Sequence, residues 1–595
     1  MVKENIIQFW MANGLVTSRG NLQMEHVGNE VWNELNQRSF FQEVKSDFVG
    51  NITFKMHDLV HDLAHSIIGE ECVASKVSSL ADLSIRVHHI SCLDSKEKFD
   101  CNMIPFKKIE SLRTFLEFNE PFKNSYVLPS VTPLRALRIS FCHLSALKNL
   151  MHLRYLELYM SDIRTLPASV CRLQKLQTLK LEGCDILSSF PKQLTQLHDL
   201  RHLVIIACRR LTSTPFRIGE LTCLKTLTTF IVGSKTGFGL VELHNLQLGG
   251  KLHIKGLQKV SNEEDAKQAN LIGKKDLNRL YLSWGDYPNS QVGGLDAERV
   301  LEALEPHSGL KSFGVQCYMG TQFPPWMRNT SILNGLVHII LYDCKNCRQL
   351  PPFGKLPYLT NLYVSGMRDI KYIDDDFYEP ATEKAFTSLK KLSLPSVESL
   401  FVSGGSEELL KSFCYNNCSE DVASSSQGIS GNNLKSLSIS KCAKLKELPV
   451  ELSRLGALES LTIEACVKME SLSEHLLQGL SSLRTLTLFW CPRFKSLSEG
   501  MRHLTCLETL HISYCPQFVF PHNMNSLTSL RRLLLWDCNE NILDGIEGIP
   551  SLRSLSLFGF PSLTSLPDCL GAMTSLQVLD IYNFPKLKSV PERKR

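Results

Sequence analysis

Three histidines with four-residue spacing stand near the N-terminus, in the sequence FKMHDLVHDLAHSII. His57, His61 and His65 would share one face of a helix. The segment HDLVH differs at one position from the H-E-x-x-H pattern of zinc proteases. That position holds Asp58, one methylene shorter than the Glu that acts as the base, and no clear third zinc ligand follows. We therefore expect no metal here, and the triplet Met56-His57-Asp58 needs another explanation.

Twenty cysteines could form zinc sites or disulfides, but their spacing is typical of neither. Cys344-x-x-Cys347 and Cys414-x-x-x-Cys418 each resemble half of a zinc site, yet no second pair lies at zinc-site spacing. A larger group stands eight residues after a leucine, in the pattern L-x-x-L-x-[LI]-x-x-C, which is typical of a buried structural Cys. Because the N-terminus lacks an apolar leader segment, we expect reduced thiols and a cytoplasmic protein. The motif cysteines are Cys142, Cys184, Cys208, Cys344, Cys442, Cys466, Cys491, Cys515 and Cys538.

Length and composition narrow the classes of protein. A chain of 595 residues is far too long for one ordinary core, so it forms several domains or a repeat array. Lys and Arg number 65 against 60 Asp and Glu, and a net charge of +5 gives no support to a nucleic-acid partner. No apolar stretch reaches about 18 residues, so we expect no membrane span.

From about residue 111 onward the chain repeats one pattern, clearest in LKSLSISKC, LESLTIEAC and LRTLTLFWC. The starts from Leu434 to Leu576 are 24, 25, 24, 23, 22 and 24 residues apart, which matches the leucine-rich-repeat period of about 20–29 residues. Alternate residues of each short strand point inward, and only stacked neighbours can bury them. We therefore predict an α/β fold over residues 111–595, a solenoid of about nineteen repeats shaped as a horseshoe with a concave parallel sheet.

Two long gaps interrupt the repeats. Residues 403–433 are rich in Ser, Gly and Asn and predict a flexible surface insertion. Asp296 to Leu304 consists of helix-forming residues and is followed by a helix-stopping Pro306.

Residues 1–75 do not follow the repeat. NIIQFWMANGLV predicts a helix that ends near Gly14, and MEHVGNEVWNELNQRSFFQEV has a helical period as well. ITFKM predicts a short strand, and HDLVHDLAHSII a further helix. This order favours a small winged-helix-like domain, followed by a linker or N-terminal cap of the repeats over residues 76–110. Its few basic residues are scattered, so DNA binding is not expected.

These segments together carry a family resemblance. FWMANGLV, then VGNEVWNELNQRSFF, then Met56-His57-Asp58 and Cys-ending repeats resemble the C-terminal part of plant nucleotide-binding leucine-rich-repeat (NB-ARC/LRR) disease-resistance proteins. The stretch from Leu224 to Ala266 is similar to the coiled-coil class of that family. The resemblance implies a role in plant innate immunity, with a pathogen effector or a guarded host protein as partner, together with the nucleotide-binding half of a receptor.

The resemblance also implies a role for the triplet. His57 would contact the phosphates of bound ADP, and Asp58 would orient that region. An imidazole can donate a hydrogen bond to a diphosphate, and a neighbouring carboxylate can fix the ring. The alternative is structural, with Asp58 capping a helix and His57 merely polar.

The chain departs from the family in one respect, because it contains no G-x-x-x-x-G-K-[ST] loop. We therefore expect no ADP or ATP cofactor in this chain alone and no enzymatic activity, as in a piece of a receptor or a truncated one. The main alternative function is an F-box-type leucine-rich-repeat adaptor of a ubiquitin ligase, although residues 1–40 lack its LP-x-E-type helix. An extracellular receptor would need a signal peptide and paired flanking cysteines, which the sequence does not show.

The last repeats offer a partner surface. Positions six and seven residues after the first leucine should face the concave side, and there the last repeats place aromatic residues where most earlier ones have Ser or Glu. Neighbouring strands lie about 5 Å apart, so these rings would form one patch, with Arg residues on the same face. The alternative is that some of these rings pack on one another, or are buried under the C-terminal cap, and so stabilise the end of the array. The predicted partner-binding residues are Phe489, Trp490, Tyr514, Arg531, Arg532, Trp536, Phe558 and Tyr582.

Overall fold

The structure is a computed structural model that describes residues 1–46, 51–76, 86–93, 111–118, 133–140, 147, 149–260, 262–285, 294–367, 386, 388–395, 433–442, 445–448, 450–520 and 524–589. The chain forms two compact units, Met1–Gly285 with Arg299–Ser312, and Asp286–Glu298 with Phe313–Arg595. In the described part of the chain, no helix has the length and apolar character needed to cross a bilayer.

The N-terminal elements form the predicted winged-helix domain. They are α1 (Lys3–Asn13), α2 (Met24–Gln37), β1 (Phe41–Ser46), β2 (Ile52–Met56) and α3 (Asp58–Ile68). Its core is aromatic, with the ring centroids of Phe41 and Phe54 4.3 Å apart and Trp32 within 5.7 Å of both. As expected, α1 ends at Gly14, whose φ of 78° is a left-handed conformation that Gly adopts without strain.

The structure corrects the helix expected over the second N-terminal segment. α2 ends at Gln37, Ser39 has a left-handed backbone, and the chain then enters β1, which is antiparallel to β2. The apolar residues continue a helical period past Gln37, so the helix predicted from that period was too long. The strand prevails because it buries Phe41 against Trp32 and Phe54.

Parallel strands make up the repeats of the first unit. Strands β3 to β10 pair in chain order in one sheet, and β11, β12 and β13 pair with one another in the same way. They are β3 (Cys72–Lys76), β4 (His89–Leu93), β5 (Thr114–Glu117), β6 (Ala136–Ile139), β7 (Tyr155–Tyr159), β8 (Thr178–Glu182), β9 (His202–Ile206), β10 (Thr226–Leu227), β11 (Thr229–Ile231), β12 (Gly250–Lys255) and β13 (Leu277–Ser283). The sheet thus begins before residue 111, because backbone pairing extends it over β3 and β4 without the leucine pattern.

The second unit continues with parallel strands in chain order. They are β14 (Ser312–Gln316), β15 (His338–Tyr342), β16 (Asn361–Ser365), β17 (Lys391–Pro395), β18 (Ser436–Ser440), β19 (Ser460–Glu464), β20 (Thr485–Phe489), β21 (Thr509–Ser513), β22 (Arg532–Trp536), β23 (Ser554–Phe558) and β24 (Val578–Tyr582). The predicted leucine-rich-repeat solenoid is confirmed. The insertion expected over 403–433 lies, up to residue 432, outside the described residues.

The segments that return between strands are short helices. The α-helices are α4 (Glu263–Lys267), α5 (Gly294–Ala303), α6 (Pro325–Arg328), α7 (Thr330–Leu333), α8 (Glu474–Gly479) and α9 (Cys569–Ala572). The 3-10 helices are Gly69–Glu71, Val170–Arg172, Lys192–Gln196, Ile218–Glu220, Leu240–Leu243, Leu257–Lys259, Phe353–Lys355, Val450–Arg454, Glu499–His503, Met524–Ser526 and Glu540–Gly548. The predicted helix over Asp296 to Leu304 corresponds to α5.

Each strand buries one face. In β20, Leu486 and Leu488 are fully buried, whereas Thr485, Thr487 and Phe489 on the other face are partly exposed. The register keeps like positions side by side, so leucines of successive strands stack into a continuous core. One repeat cannot close this core alone.

A left-handed residue follows the strand in most repeats, seven places after the first leucine. Its N–H donates to a carbonyl of the next strand, as Trp490 N does to Ser513 O at 2.9 Å and Tyr514 N to Trp536 O at 2.7 Å. The chain then turns so that the following Cys points inward. The left-handed residues, with φ between 46° and 71°, are Met160, Gly183, Ala207, Cys317, Asp343, Gly366, Lys441, Ala465, Trp490, Tyr514, Asp537, Gly559 and Asn583.

Most of the motif cysteines are buried free thiols, as expected, while Cys208 and Cys538 are half-buried and Cys142 lies outside the described residues. Burial raises the pKa of the Cys344 thiol to about 12, so it stays protonated. Cys344 and Cys347 donate to different carbonyls, those of Val315 and Gly320. Both thiols are therefore engaged by the backbone, and in the part of the chain that is described no three His, Cys, Asp or Glu side chains cluster as a metal site would need.

The alternation in β20 predicts opposite outcomes for neighbouring substitutions. Leu488→Ala should lower the free energy of unfolding by about 2–5 kcal/mol, because it removes buried methyl groups and leaves a cavity. Thr487→Ala, one residue away on the open face, should change it by about 0.5 kcal/mol or less. Equal effects in urea denaturation would contradict the assignment of the two faces.

Candidate functional site

The predicted aromatic residues of the last repeats form one continuous row. We call Phe489, Trp490, Tyr514, Trp536, Phe558 and Tyr582 the aromatic row. Four of them stand at strand ends in β20 and β22–β24, and Trp536, Phe558 and Tyr582 are direct register partners. Ser513 holds the corresponding place in β21, and the ring of Tyr514 fills this gap, 5.5 Å from both Phe489 and Trp536. The contacts continue from Trp536 to Phe558 at 5.6 Å and on to Tyr582 at 6.2 Å.

The row is open to solvent. Trp490 is 59% exposed, Trp536 40% and Tyr582 72%. These three side chains therefore contribute little to the core. Phe489, Tyr514 and Phe558 are half-buried and pack on their neighbours, as the alternative of ring packing at the end of the array also predicts. Exposed contiguous aromatic surface on a protein is typical of a protein-binding site.

Two members of the row occupy strained backbone positions. Trp490 and Tyr514 have φ of 50° and 53°, in the left-handed region that bulky residues avoid. Gly183, Gly366 and Gly559 fill the same place in other repeats. A side chain there costs about 1–2 kcal/mol relative to Gly. Sequence spacing does not reveal this conformation. Most repeats also place a side chain rather than Gly there, so the conformation belongs to the repeat and not to these two rings alone.

The predicted arginines lie at the opposite end of the same strand. Arg531 and Arg532 are exposed, and the Arg532 Nε donates to Thr509 Oγ1 at 3.2 Å. The structure thus places both on β22 or next to it, but at the far end from Trp536. They do not join the aromatic row.

In the first unit the open face of the sheet is covered, and the sequence did not predict this. The residues two places after the first leucine, exposed or half-exposed in the last repeats, are buried there. Helix α1 lies on them, with the ring of Phe9 4.4 Å from that of Tyr155. Arg135 Nη1 donates to Asn13 O at 2.9 Å, and Thr114 Oγ1 to Asn13 Oδ1 at 3.1 Å. The winged-helix domain therefore docks on the early repeats.

One carboxylate secures this docking. Glu25 of α2 accepts two hydrogen bonds from Arg201, at 2.7 and 2.8 Å, and its Oε1 lies 3.3 Å from His202 Nε2. His202 Nδ1 in turn lies 3.1 Å from Thr226 Oγ1. Burial raises the pKa of Glu25, but the hydrogen bonds and positive charges of His202 and Arg201 outweigh it and hold this pKa far below its usual range. The signal in the sequence is His202, at a place where other repeats most often carry Thr or Ser, whereas a basic residue at the place of Arg201 is common to many repeats.

The Met-His-Asp triplet lies at the start of α3, on the winged-helix domain. His57 is the N-cap, and its Nδ1 accepts a hydrogen bond from Leu59 N at 3.3 Å. Asp58 is the first helical residue and accepts from Gln42 Nε2 at 3.0 Å. The capping residue is therefore His57 rather than Asp58, so a structural role for the triplet is present, at a different residue from the one expected. With Nδ1 as acceptor, the ring proton stands on Nε2, which suits donation to a phosphate oxygen.

The other helix histidines do not join this arrangement. His61 contacts Asp62 at 3.3 Å, and the rings of His61 and His65 lie 5.6 Å apart on α3. α3 has no buried residue among its described side chains. The predicted helix is present, but the histidines spaced along it face solvent.

The domains match known families. The description "Disease resistance protein Winged helix domain" matches residues 1–64, "R13L1/DRL21 LRRs" residues 240–367 and "Leucine-rich repeat region" residues 433–593. The chain is 38% identical to the disease resistance protein RGA4 of Solanum bulbocastanum, over 81% of this chain and 47% of that one. It is 39% identical to RGA2 of the same plant, over 76% and 48%, and 30% identical to RPP13-like protein 1 of Arabidopsis thaliana, over 84% and 52%.

The chain belongs to the plant disease-resistance proteins. It spans about half the length of the relatives it matches. The winged-helix match over residues 1–64 supports this family over the F-box-type adaptor.

The Glu25 contact predicts a pH dependence. A carboxylate whose pKa is lower in the folded protein stabilises the fold above its unfolded pKa, about 4.3, and loses that contribution as the pH falls below it. Glu25→Gln should loosen the docking by about 1–3 kcal/mol at neutral pH, because it leaves the half-buried Arg201 without its counter-charge.

Hydrogen exchange of α1 and α2 amides measures this loosening, with the amides of β23 as an internal control. The difference between wild type and Glu25→Gln should shrink as the pH falls below about 4.3, where the carboxylate of the undocked state becomes protonated. A difference that grows below that pH would contradict the assigned role of Glu25.

Proposed function

We propose that this chain is a non-enzymatic, cytoplasmic recognition protein of plant innate immunity. Its leucine-rich repeats sense a pathogen effector or a host protein that effectors modify. The observation that carries the proposal is the aromatic row, which lies open on the sheet of the last repeats. Membership of the disease-resistance proteins supports the biological role.

The contrast between the two ends of the chain supports the location of the binding surface on the last repeats. In the first unit the chain's own winged-helix domain occupies the open face of the sheet, through Phe9 and Glu25. In the last repeats the described residues include no segment on that face, and Trp490 and Trp536 stand exposed. A partner protein that buries two or three of these rings would gain typical hot-spot energies.

We further propose that His57 and Asp58 act as an ADP sensor, but only when joined to an intact nucleotide-binding half. The geometry fits one hydrogen bond, from the His57 Nε2 proton to a phosphate oxygen. Asp58 would hold the region through its bond with Gln42 on the neighbouring strand. ADP supplies the negative charge, and the chain itself carries no P-loop to bind it alone.

The recognition surface predicts a binding defect without unfolding. Trp490→Ala and Trp536→Ala should each weaken binding of a purified partner by about 2 kcal/mol or more, roughly thirtyfold. The partner would be one that wild-type chain captures from pathogen-challenged leaf tissue, and calorimetry gives the affinities. Because both side chains are exposed, the melting temperature should change little.

Two further variants separate recognition from capping. Trp490→Gly relieves the left-handed strain and should bind as poorly as Trp490→Ala with no loss of stability. Trp326→Ala removes a buried ring in another repeat and should lower the melting temperature instead. Unchanged affinity in a folded double mutant would place the binding surface elsewhere, and a collapse in melting temperature of Trp490→Gly would favour the capping alternative.

The sensor hypothesis predicts separable effects at His57. In a fusion with the nucleotide-binding half of a relative, His57→Ala should speed ADP dissociation, since it removes the phosphate donor. It also removes the helix cap, worth about 1 kcal/mol. His57→Asn keeps the capping acceptor but loses the imidazole, so it should restore the stability of α3 and still release ADP quickly.

Stopped-flow release of a fluorescent ADP analogue distinguishes these cases. Release at the wild-type rate from His57→Ala would refute the sensor role. Slow release from His57→Asn would mean that the cap alone matters. The unfused chain should show no micromolar binding of ADP or ATP by calorimetry.

A further inference from the structure

We propose that the partner of the aromatic row binds through a peptide segment that has two parts. Acidic residues of the segment contact an arginine cluster, and its apolar residues contact the row. About four or five extended residues separate the two parts. We define the arginine cluster as Arg531, Arg532 and Arg553. The inference rests on the proposed recognition function and specifies the chemistry of the partner.

The three arginines are neighbours by backbone geometry. Arg553 N and Ser554 N both donate to Arg531 O at 2.9 Å, and Arg532 pairs in register with Ser554. Adjacent parallel strands lie about 4.8 Å apart, so the three arginines extend from neighbouring backbone positions. All three side chains are exposed.

In the preceding repeats, ion pairs neutralise the basic side chains at the same position, whereas Arg531 and Arg553 form none with the described residues. One residue after the first leucine, Lys435 pairs with Glu459 at 2.6 Å, and Arg484 pairs with Glu508. Arg531 and Arg553 continue this line of side chains, but neither forms an ion pair with any of the described residues. The positive charge at this end of β22 and β23 is therefore left for an external anion.

The distance between the two features follows from the strand. Arg532 and Trp536 are the first and last residues of β22, and Arg531 immediately precedes it. At about 3.3 Å per residue the cluster and the row are about 13–17 Å apart, the length of four or five extended residues. Between them lie Leu534 and Ser556, which are uncharged.

Two considerations favour a peptide over a nucleic acid. Successive rings from Tyr514 to Tyr582 are tilted by 37–48° and touch one another at 5.5–6.2 Å, so no base can enter between them. Aliphatic and aromatic side chains can lie in the shallow grooves between such rings. Carboxylates match the guanidinium fork through paired hydrogen bonds.

The test uses the full chain and labelled synthetic peptides. Each peptide carries two Glu residues, a Gly-Ser spacer graded from about one to about nine residues, and a Leu-Phe pair. Fluorescence anisotropy measures affinity, and quenching of the exposed Trp490 and Trp536 reports contact with the row. Affinity should peak at a spacer of about four or five residues, about tenfold above the shortest and longest.

Variants test whether the affinity peak depends on the arginine cluster. Arg531→Glu with Arg553→Glu should remove the peak and reduce the salt dependence of binding. Lys468→Glu with Arg493→Glu makes the same charge change at two exposed residues outside the strands and should leave both unchanged. Affinity independent of spacer length, a peak that survives the double variant, tighter binding of a single-stranded RNA of equal length, or no peptide binding at all would each overturn the proposal. The proposed recognition function is tested separately, because the weaker binding of the captured partner to Trp490→Ala does not depend on the peptide results.

Discussion

Most strands of the repeats are followed by a left-handed residue, which in many of them donates a hydrogen bond to a carbonyl of the next strand, and this contact sets the geometry of both faces. It extends the ladder one residue beyond the strand, as from Tyr514 to Trp536. It also turns the chain so that the following Cys enters the core, where its thiol finds a carbonyl, as Cys515 does at Ser513. The leucines can then stack without a gap, and the residues opposite them are fixed in rows. Both the aromatic row and the arginine cluster are such rows.

The rows of the open face have two uses in this chain. In the first unit they receive the winged-helix domain, through an aromatic contact at Tyr155 and the charge-assisted bonds of Arg201 with Glu25. In the last repeats similar chemistry, rings with arginines, is present without an internal partner in the described chain. A face built from repeated positions can be changed at one row without altering the core, because the inward leucines alone maintain the stack.

Much of the fold was predictable because its signals are periodic. The repeat spacing, the inward cysteines and the helices α1 and α3 follow from local patterns. Local patterns do not predict the structure where a distant contact decides it. Phe41 joins a strand because Trp32 and Phe54 bury it, and Glu25 finds Arg201 across 176 residues. The aromatic row was predictable from repeat register, whereas the strain at Trp490 was not, since the left-handed position appears only in the backbone.

The winged-helix domain joins two different surfaces through one small core. Helices α1 and α2 face the repeats, where Asn13 and Glu25 hold them. The Met-His-Asp triplet stands on the other elements, at the end of β2 and the start of α3. Both surfaces rest on the rings of Trp32, Phe41 and Phe54, which pack within 5.7 Å of one another. A well-packed aromatic core transmits displacement rather than absorbing it. The docking surface and the start of α3 are therefore held by one set of rings.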